Sequence, residues 1–244
     1  MKLDLALQLY SIRNETAKDF FGALDKIAEM GYTGVEFAGY GNIKAEDMKA
    51  KLDSLGLKTV SVHHGLGAME ADIDNIIAYN KVLGNNIINC AGAGAFADYD
   101  TVCGYADRLA VLADKLAANG MKIYYHNHNG EFVKFEQDGG RYAYDVMMEK
   151  LAGKVCAQLD IYWLYRAGVD AIEYLDRYKD FTDCLHIKDG DETKGLPVGT
   201  GKVEIKKIIE HAQKIGVKTF ILEDETVGDQ FEAVKIGIDN IFAY

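Results

Sequence analysis

Residues able to do chemistry collect at the ends of apolar runs. Met121–Tyr125 stops at His126-Asn-His128-Asn-Gly-Glu131, Val155–Leu159 stops at Asp160, Cys184–Leu185 leads into His186, and Thr219–Leu222 stops at Glu223. A buried carboxylate is costly unless it is paired or bound to a cation, so buried strands emptying into imidazoles and carboxylates suit a metal or acid–base site. Glu131, Asp160, His186 and Glu223 would bring three carboxylates and one imidazole to a common point. That set is more oxygen-rich than a structural zinc site and suits one divalent ion, Mn, Mg, Co or Zn.

Other polar residues follow the same rule. His63 and His64 close the run beginning at Lys58, Glu36 lies near the end of Tyr32–Phe37, and Gln8 and Tyr10 end the first run. Of the six histidines, His211 alone falls on an expected helix, as a solvated residue. Lys188 follows His186 by two and so shares its side of a strand; it can bind a substrate oxygen or phosphate, polarise a carbonyl, or pair with Asp189 or Asp191. Trp163 can wall a sugar ring or simply pack. Gly199-Thr-Gly201 can offer backbone N–H groups to an anion, although a lone Gly-x-Gly is weak evidence. Gly92-Ala-Gly94 leaves room for substrate.

The elements that must position these groups repeat one pattern. An amphipathic helix ends, a glycine follows, and an apolar strand begins, as at Gly31, Gly56, Gly84, Gly120, Gly153 and Gly216. Glycine tolerates the left-handed conformation that closes a helix. The period of about 30 residues is one strand–helix unit. Strands are expected at 4–10, 32–37, 58–62, 86–91, 121–126, 155–160, 182–187 and 218–223. Helices are expected at 16–30, 45–55, 69–83, 101–118, 141–151, 169–178, 203–214 and 228–242. The strands are continuously apolar, as when both faces are covered. Eight such units predict an α/β fold, one (β/α)8 TIM barrel spanning 1–244 as a single domain. A doubly wound open sheet is the alternative, but no Gly-x-Gly-x-x-Gly follows the first strand.

Composition narrows the partners. The 244 residues are 49% hydrophobic and 27% charged, with a net charge of -11. That charge argues against nucleic acid as a partner, since phosphate backbones need a basic face. A local lysine or helix N-terminus still leaves a sugar phosphate open. Cys90, Cys103, Cys156 and Cys184 form no Cys-x-x-Cys pair and read as buried reduced thiols. The N-terminus lacks a signal-peptide core and no apolar run approaches the ~20 residues of a membrane helix, so the expectation is a cytoplasmic protein with no membrane partner. Trp163 and the aromatic residues of the last helix could equally serve a homo-oligomer interface.

The sequence resembles the xylose-isomerase-like TIM barrels, the sugar phosphate isomerase/epimerase family, over essentially its whole length. The resemblance rests on Leu9-Tyr10-Ser-Ile-Arg13, Gly34-Val-Glu36, His126-Asn-His-Asn-Gly-Glu131-Phe132 and Leu159-Asp160-Ile-Tyr-Trp163 with Ala167-Gly168. It continues through His186-Ile-Lys-Asp189, Gly199-Thr-Gly201 and Leu222-Glu223-Asp-Glu225. It implies a divalent metal held from strands five to eight, with Asp160, His186 and Glu223 carrying over. Many members place a glutamate at the end of strand five, where this chain has His126. The first ligand is therefore assigned to Glu131, with His126 or His128 as alternatives. The ketose 3-epimerase branch often has a histidine three residues after the metal aspartate; this chain has Trp163.

The resemblance also implies a metal-dependent sugar isomerase or epimerase in carbohydrate metabolism, abstracting a proton next to a carbonyl through a metal-stabilised enediolate, with manganese among the candidate metals. Glu131 and Glu223 are the expected acid–base residues, with His126, His128 and Lys188 beside the substrate. Gln8, Tyr10, Glu36, His63 and Trp163 are the expected substrate contacts. A lyase or dehydratase acting on a keto-sugar or keto-inositol through the same site is the alternative, since the His-Asn-His segment is similar to the dehydratase branch. Two remoter readings are an abasic-site endonuclease, disfavoured by the acidic charge, and a non-catalytic sugar-binding barrel.

Overall fold

A computed structural model describes residues 3–244. Eight parallel strands close into a barrel: β1 Leu5–Gln8, β2 Gly34–Phe37, β3 Lys58–His64, β4 Ile87–Ala91, β5 Lys122–His126, β6 Cys156–Asp160, β7 Cys184–Ile187 and β8 Thr219–Leu222. Each pairs with its neighbours in chain order, and β1 closes on β8 with Leu5 opposite Phe220 and Leu7 opposite Leu222. The expected α/β barrel is therefore the fold, and the open-sheet alternative is excluded by that closing pair.

Among the described residues ten α-helices lie between and after the strands: two short ones at Arg13–Lys18 and Ile161–Arg166, and α1 Phe20–Met30, α2 Ala45–Leu55, α3 Leu66–Leu83, α4 Tyr99–Ala117, α5 Ala143–Leu151, α6 Ala171–Tyr178, α7 Ile205–Ile215 and α8 Gln230–Phe242. In α7 the residues Ile205, Ile208, Ile209 and Ala212 are buried on one face, following the helical spacing. Gly31 and Gly216 close α1 and α7 at φ of 100° and 102°, as the punctuation predicts. After α5 the left-handed residue at the helix end is Ala152, at φ 47°, one position before the expected Gly153. Side-chain hydrogen bonds to the backbone rather than periodicity set other boundaries. The expected first helix breaks at Asp19, whose carboxylate caps α1 through Gly22 N–H. Strand β1 stops at Gln8 because its side-chain oxygen accepts the Tyr10 N–H and starts a 3-10 turn over Leu9–Ile12.

Two apolar layers hold the barrel. The larger lies between strands and helices. A smaller plug inside the barrel consists of Ala6, Tyr124, Cys184 and Ile221. Above it the inward positions turn polar, through Gln8, Glu36, Ser61, His63, His126, Gln158, Asp160 and His186. In a barrel of this kind the C-terminal strand ends form the functional face. No helix among the described residues is long and apolar enough to cross a membrane. No disulfide joins the four cysteines.

Candidate metal centre

The strand pairing decides which polar side chains meet. Asp160 lies opposite His186 across β6 and β7, and His126 lies opposite Gln158 across β5 and β6. Donor atoms of His126, Asp160, His186 and Glu223 come within 4.8 Å of one another, all four residues buried. His63, His126 and His186 form a second, overlapping group by the same measure.

Hydrogen bonds orient each donor. Asp160 Oδ1 accepts the N–H groups of Tyr162 at 2.9 Å and Trp163 at 3.0 Å. Its Oδ2 is buried without a partner among the described residues. Burial pushes the Asp160 carboxyl up to about 7, against the opposing pull of Lys188. An unpartnered buried carboxylate oxygen facing two imidazoles and a second carboxylate fits a divalent cation. His126 Nδ1 lies 3.1 Å from Gln158 Oε1, which fixes that nitrogen as the N–H and leaves Nε2 as the donor. Burial holds the His126 imidazole well below its ordinary range, in the uncharged form that ligation requires.

His186 is clamped between two carboxylates, Nδ1 at 2.9 Å from Glu223 Oε2 and Nε2 at 2.6 Å from Glu36 Oε2. Burial pulls its pKa down, but Glu36 and Glu223 outweigh it and raise it to about 10. Glu223 Oε1 accepts from Lys188 Nζ at 3.1 Å. Burial would raise the Glu223 pKa, yet Lys188 and His186 hold it well below the carboxylate range.

Glu36 is the hub beneath this group. It is 0% exposed, and Gln8, Ser61, His63, Gln158 and His186 all converge on its two oxygens. Glu36, expected as a substrate contact, is not among the residues that line the cavity above this group; its oxygens are taken up by these five partners. Gln158 is a site residue the sequence reading missed. Its Oε1 lies 3.0 Å from His63 Nε2 and 3.1 Å from His126 Nδ1, while its Nε2 donates to Glu36 at 2.7 Å. The available signal was a polar side chain two residues before Asp160 in an apolar run, hence on the same strand face.

Glu131 is not brought to the group. Its Oε1 accepts the Tyr125 hydroxyl at 2.9 Å and its Oε2 accepts the His128 N–H at 2.9 Å. Burial raises its pKa. The turn after β5 thus uses this carboxylate to tie itself together, and His126 rather than Glu131 lies with Asp160, His186 and Glu223. A Cβ at Gly92 would strike His128 Nδ1 and Glu131 Oε1, so the loop after β4 packs here only as glycine.

A cavity of about 310 Å3 opens above the group. Gln8, Tyr10, His63, His64, His126, His128, Glu223 and Glu225 line it, with Ala38, Gly65 and Ala91. Of the expected substrate contacts, Gln8, Tyr10 and His63 reach it. Trp163 lies behind, 5.3 Å from the His128 ring and 4.7 Å under Lys188 Nζ. Lys188 is 1% exposed, bonded to Glu223 and, at 3.1 Å, to Glu225. Burial holds His128 uncharged, its pKa lowered to about 4. His211 is remote, paired with Asp176 at 2.8 Å.

The model of the xylose isomerase-like TIM barrel family matches residues 24–242. The chain belongs to this family. A sugar phosphate isomerase/epimerase from Parabacteroides distasonis superposes with a TM-score of 0.88 at 25% identity, covering 100% of this chain and 99% of that one. A probable 3-DHS dehydratase involved in petrobactin synthesis from Bacillus anthracis follows with a TM-score of 0.80 at 14% identity, covering 99% of both chains. An IOLI protein with a bound zinc atom gives 0.77 at 14% identity, over 99% of this chain and 97% of that one. No curated protein matches the chain in sequence.

Proposed function

We propose that this family member is a divalent-metal-dependent isomerase or epimerase acting on a sugar by proton abstraction next to a carbonyl. The observation that carries the reading is the convergence of His126, Asp160, His186 and Glu223, of which His126 and Glu223 line the cavity, with Asp160 Oδ2 unpartnered. These four residues would hold the cation. When bound there, a divalent cation polarises neighbouring sugar oxygens and eases loss of the adjacent carbon-bound proton. Zinc in the IOLI protein supports such a centre without fixing the metal here.

The protein's own groups divide the remaining work. His128 lines the cavity as an uncharged imidazole whose Nδ1 packs toward Gly92, so Nε2 is the atom placed to take or return a proton. Glu223 and Glu225 present carboxylates to the same cavity as partners for the second transfer. Lys188 stays charged, raised by Glu223 against its burial, and holds both carboxylates in place. Gln8 and Tyr10 supply hydrogen bonds and an apolar edge at the mouth.

Expulsion of a β-oxygen from the same deprotonated substrate would make the enzyme a lyase. That second reading draws support from the two histidines after β5 and from the likeness to the probable dehydratase. The test is incubation of metal-loaded protein with ketoses and keto-inositols in deuterated water. Deuterium on carbon with an epimer or isomer as product supports the first reading, and an unsaturated product the second. No exchange in any substrate, or a wild-type protein that takes up no metal, refutes both.

A further inference from the structure

Resting on that reading, we infer that the site takes an uncharged keto-sugar or keto-polyol and rejects its phosphate ester, with Glu225 as a residue that sets this specificity. A phosphate group needs an unspent cation or a set of free N–H donors. Among the described residues no such cation lines the cavity.

Among the described residues no lysine or arginine lines it, whereas Glu223 and Glu225 both do. The buried cation closest in the bonding network, Lys188, is spent on those two carboxylates, at 3.1 Å from each. Arg13 stacks 4.4 Å from the ring of the cavity residue Tyr10 and donates from Nη1 to the Tyr10 carbonyl at 2.9 Å, but it is not among the residues that line the cavity. Lys202, in the loop after β7, pairs outward with Glu192 at 2.7 Å and is 58% exposed.

The one loop shaped like an anion cradle already holds an anion. Asp189 is 1% exposed. Its Oδ2 accepts the N–H groups of Gly199 at 3.0 Å and Gly201 at 2.8 Å. Its Oδ1 accepts those of Gly190 at 2.8 Å and Val203 at 3.1 Å. The N–H groups of the Gly199-Thr-Gly201 loop, which the sequence offers for an anion on weak evidence, are thus taken by the chain's own carboxylate. A cavity of about 310 Å3 stands at the small end of ligand sites, as a single sugar ring requires. The net charge of -11 adds a long-range penalty for a dianion.

The test compares ketopentoses and ketohexoses with their own phosphate esters, and includes a keto-inositol. Metal-loaded full-length protein is read for carbon-bound deuterium exchange and for binding by calorimetry. The expected result is exchange with an uncharged member and a value of kcat/KM at least about a hundredfold lower for its ester, the scale of a like-charge penalty. Glu225→Gln should narrow that gap about tenfold, because it removes one carboxylate and loosens Lys188. An ester turned over as well as its parent sugar overturns this inference and leaves the isomerase reading intact. A gap unchanged in Glu225→Gln overturns the role given to Glu225. Exchange with neither class overturns the isomerase reading and this inference with it.

Discussion

Glu36→Gln is the substitution that tests the centre most directly. Every group around the Glu36 carboxylate is an N–H or O–H. Gln8 Nε2 lies 2.7 Å and His186 Nε2 2.6 Å from Oε2, while Gln158 Nε2 lies 2.7 Å from Oε1 beside the Ser61 hydroxyl. A carboxamide has the same shape but replaces one acceptor with a donor. Whichever way it turns, its NH2 faces Gln158 or faces Gln8 and His186. One buried donor left unsatisfied costs about 1–3 kcal/mol. In a chain of this length each kcal/mol lowers Tm by roughly 2–4 °C. Loss of the carboxylate that orients a ligating histidine weakens metal binding about 10–100-fold. That range converts to about 1.4–2.7 kcal/mol. Thermal unfolding with and without metal, together with competition against a coloured chelator, reads both effects. A variant with wild-type Tm and a metal affinity within about twofold of wild type would refute the role of Glu36 as the orienting hub.

Asp160→Asn should abolish the metal-induced rise in Tm yet leave the metal-free protein at least as stable as wild type at pH 8. The folded pKa of Asp160 is raised by burial to about 7, above its ordinary value, so its ionisation opposes folding. That penalty is absent below pH 4, grows toward pH 7 and is complete above it, and asparagine removes it; a large fall in metal-free Tm would contradict this account. Metal uptake at pH 8 should release a proton from His186, held charged up to about 10, and affinity should rise as pH rises, more steeply below pH 7 where Asp160 also gives one up. Calorimetry in buffers of different ionisation enthalpy measures the release, and none at pH 8 would sink the idea. Glu131→Gln should keep one equivalent of metal while lowering Tm by a few degrees, because it disturbs the bonds from Tyr125 and His128. Metal analysis showing an empty variant would restore Glu131 as a ligand.

The barrel was legible because its causes are local. Glycine closing a helix before an apolar strand is a short-range signal, and its repetition counted the strands. Asp160, His186 and Glu223 were legible for a related reason: each ends an apolar run at the rim where barrels keep polar groups. Ranking those polar residues was beyond the sequence. Glu36 also ends a strand, yet it sits opposite Gln8 in the β1–β2 register and beside a bulge in the β2–β3 pairing, and there it lies beneath the donors rather than among them. Gln158 reads as one amide in a buried strand until β5 and β3 bring two histidines to it. The sequence favoured Glu131 over His126 as first ligand because what separates them lies in a turn, where the carboxylate accepts from Tyr125 and the His128 N–H. Asp189 closing a loop 10 to 14 residues ahead is the same kind of fact. Composition and periodicity fixed which residues reach the rim; distances of a few ångströms between strands far apart in sequence decided which of them converge, which bond to the converging groups and which brace the loops.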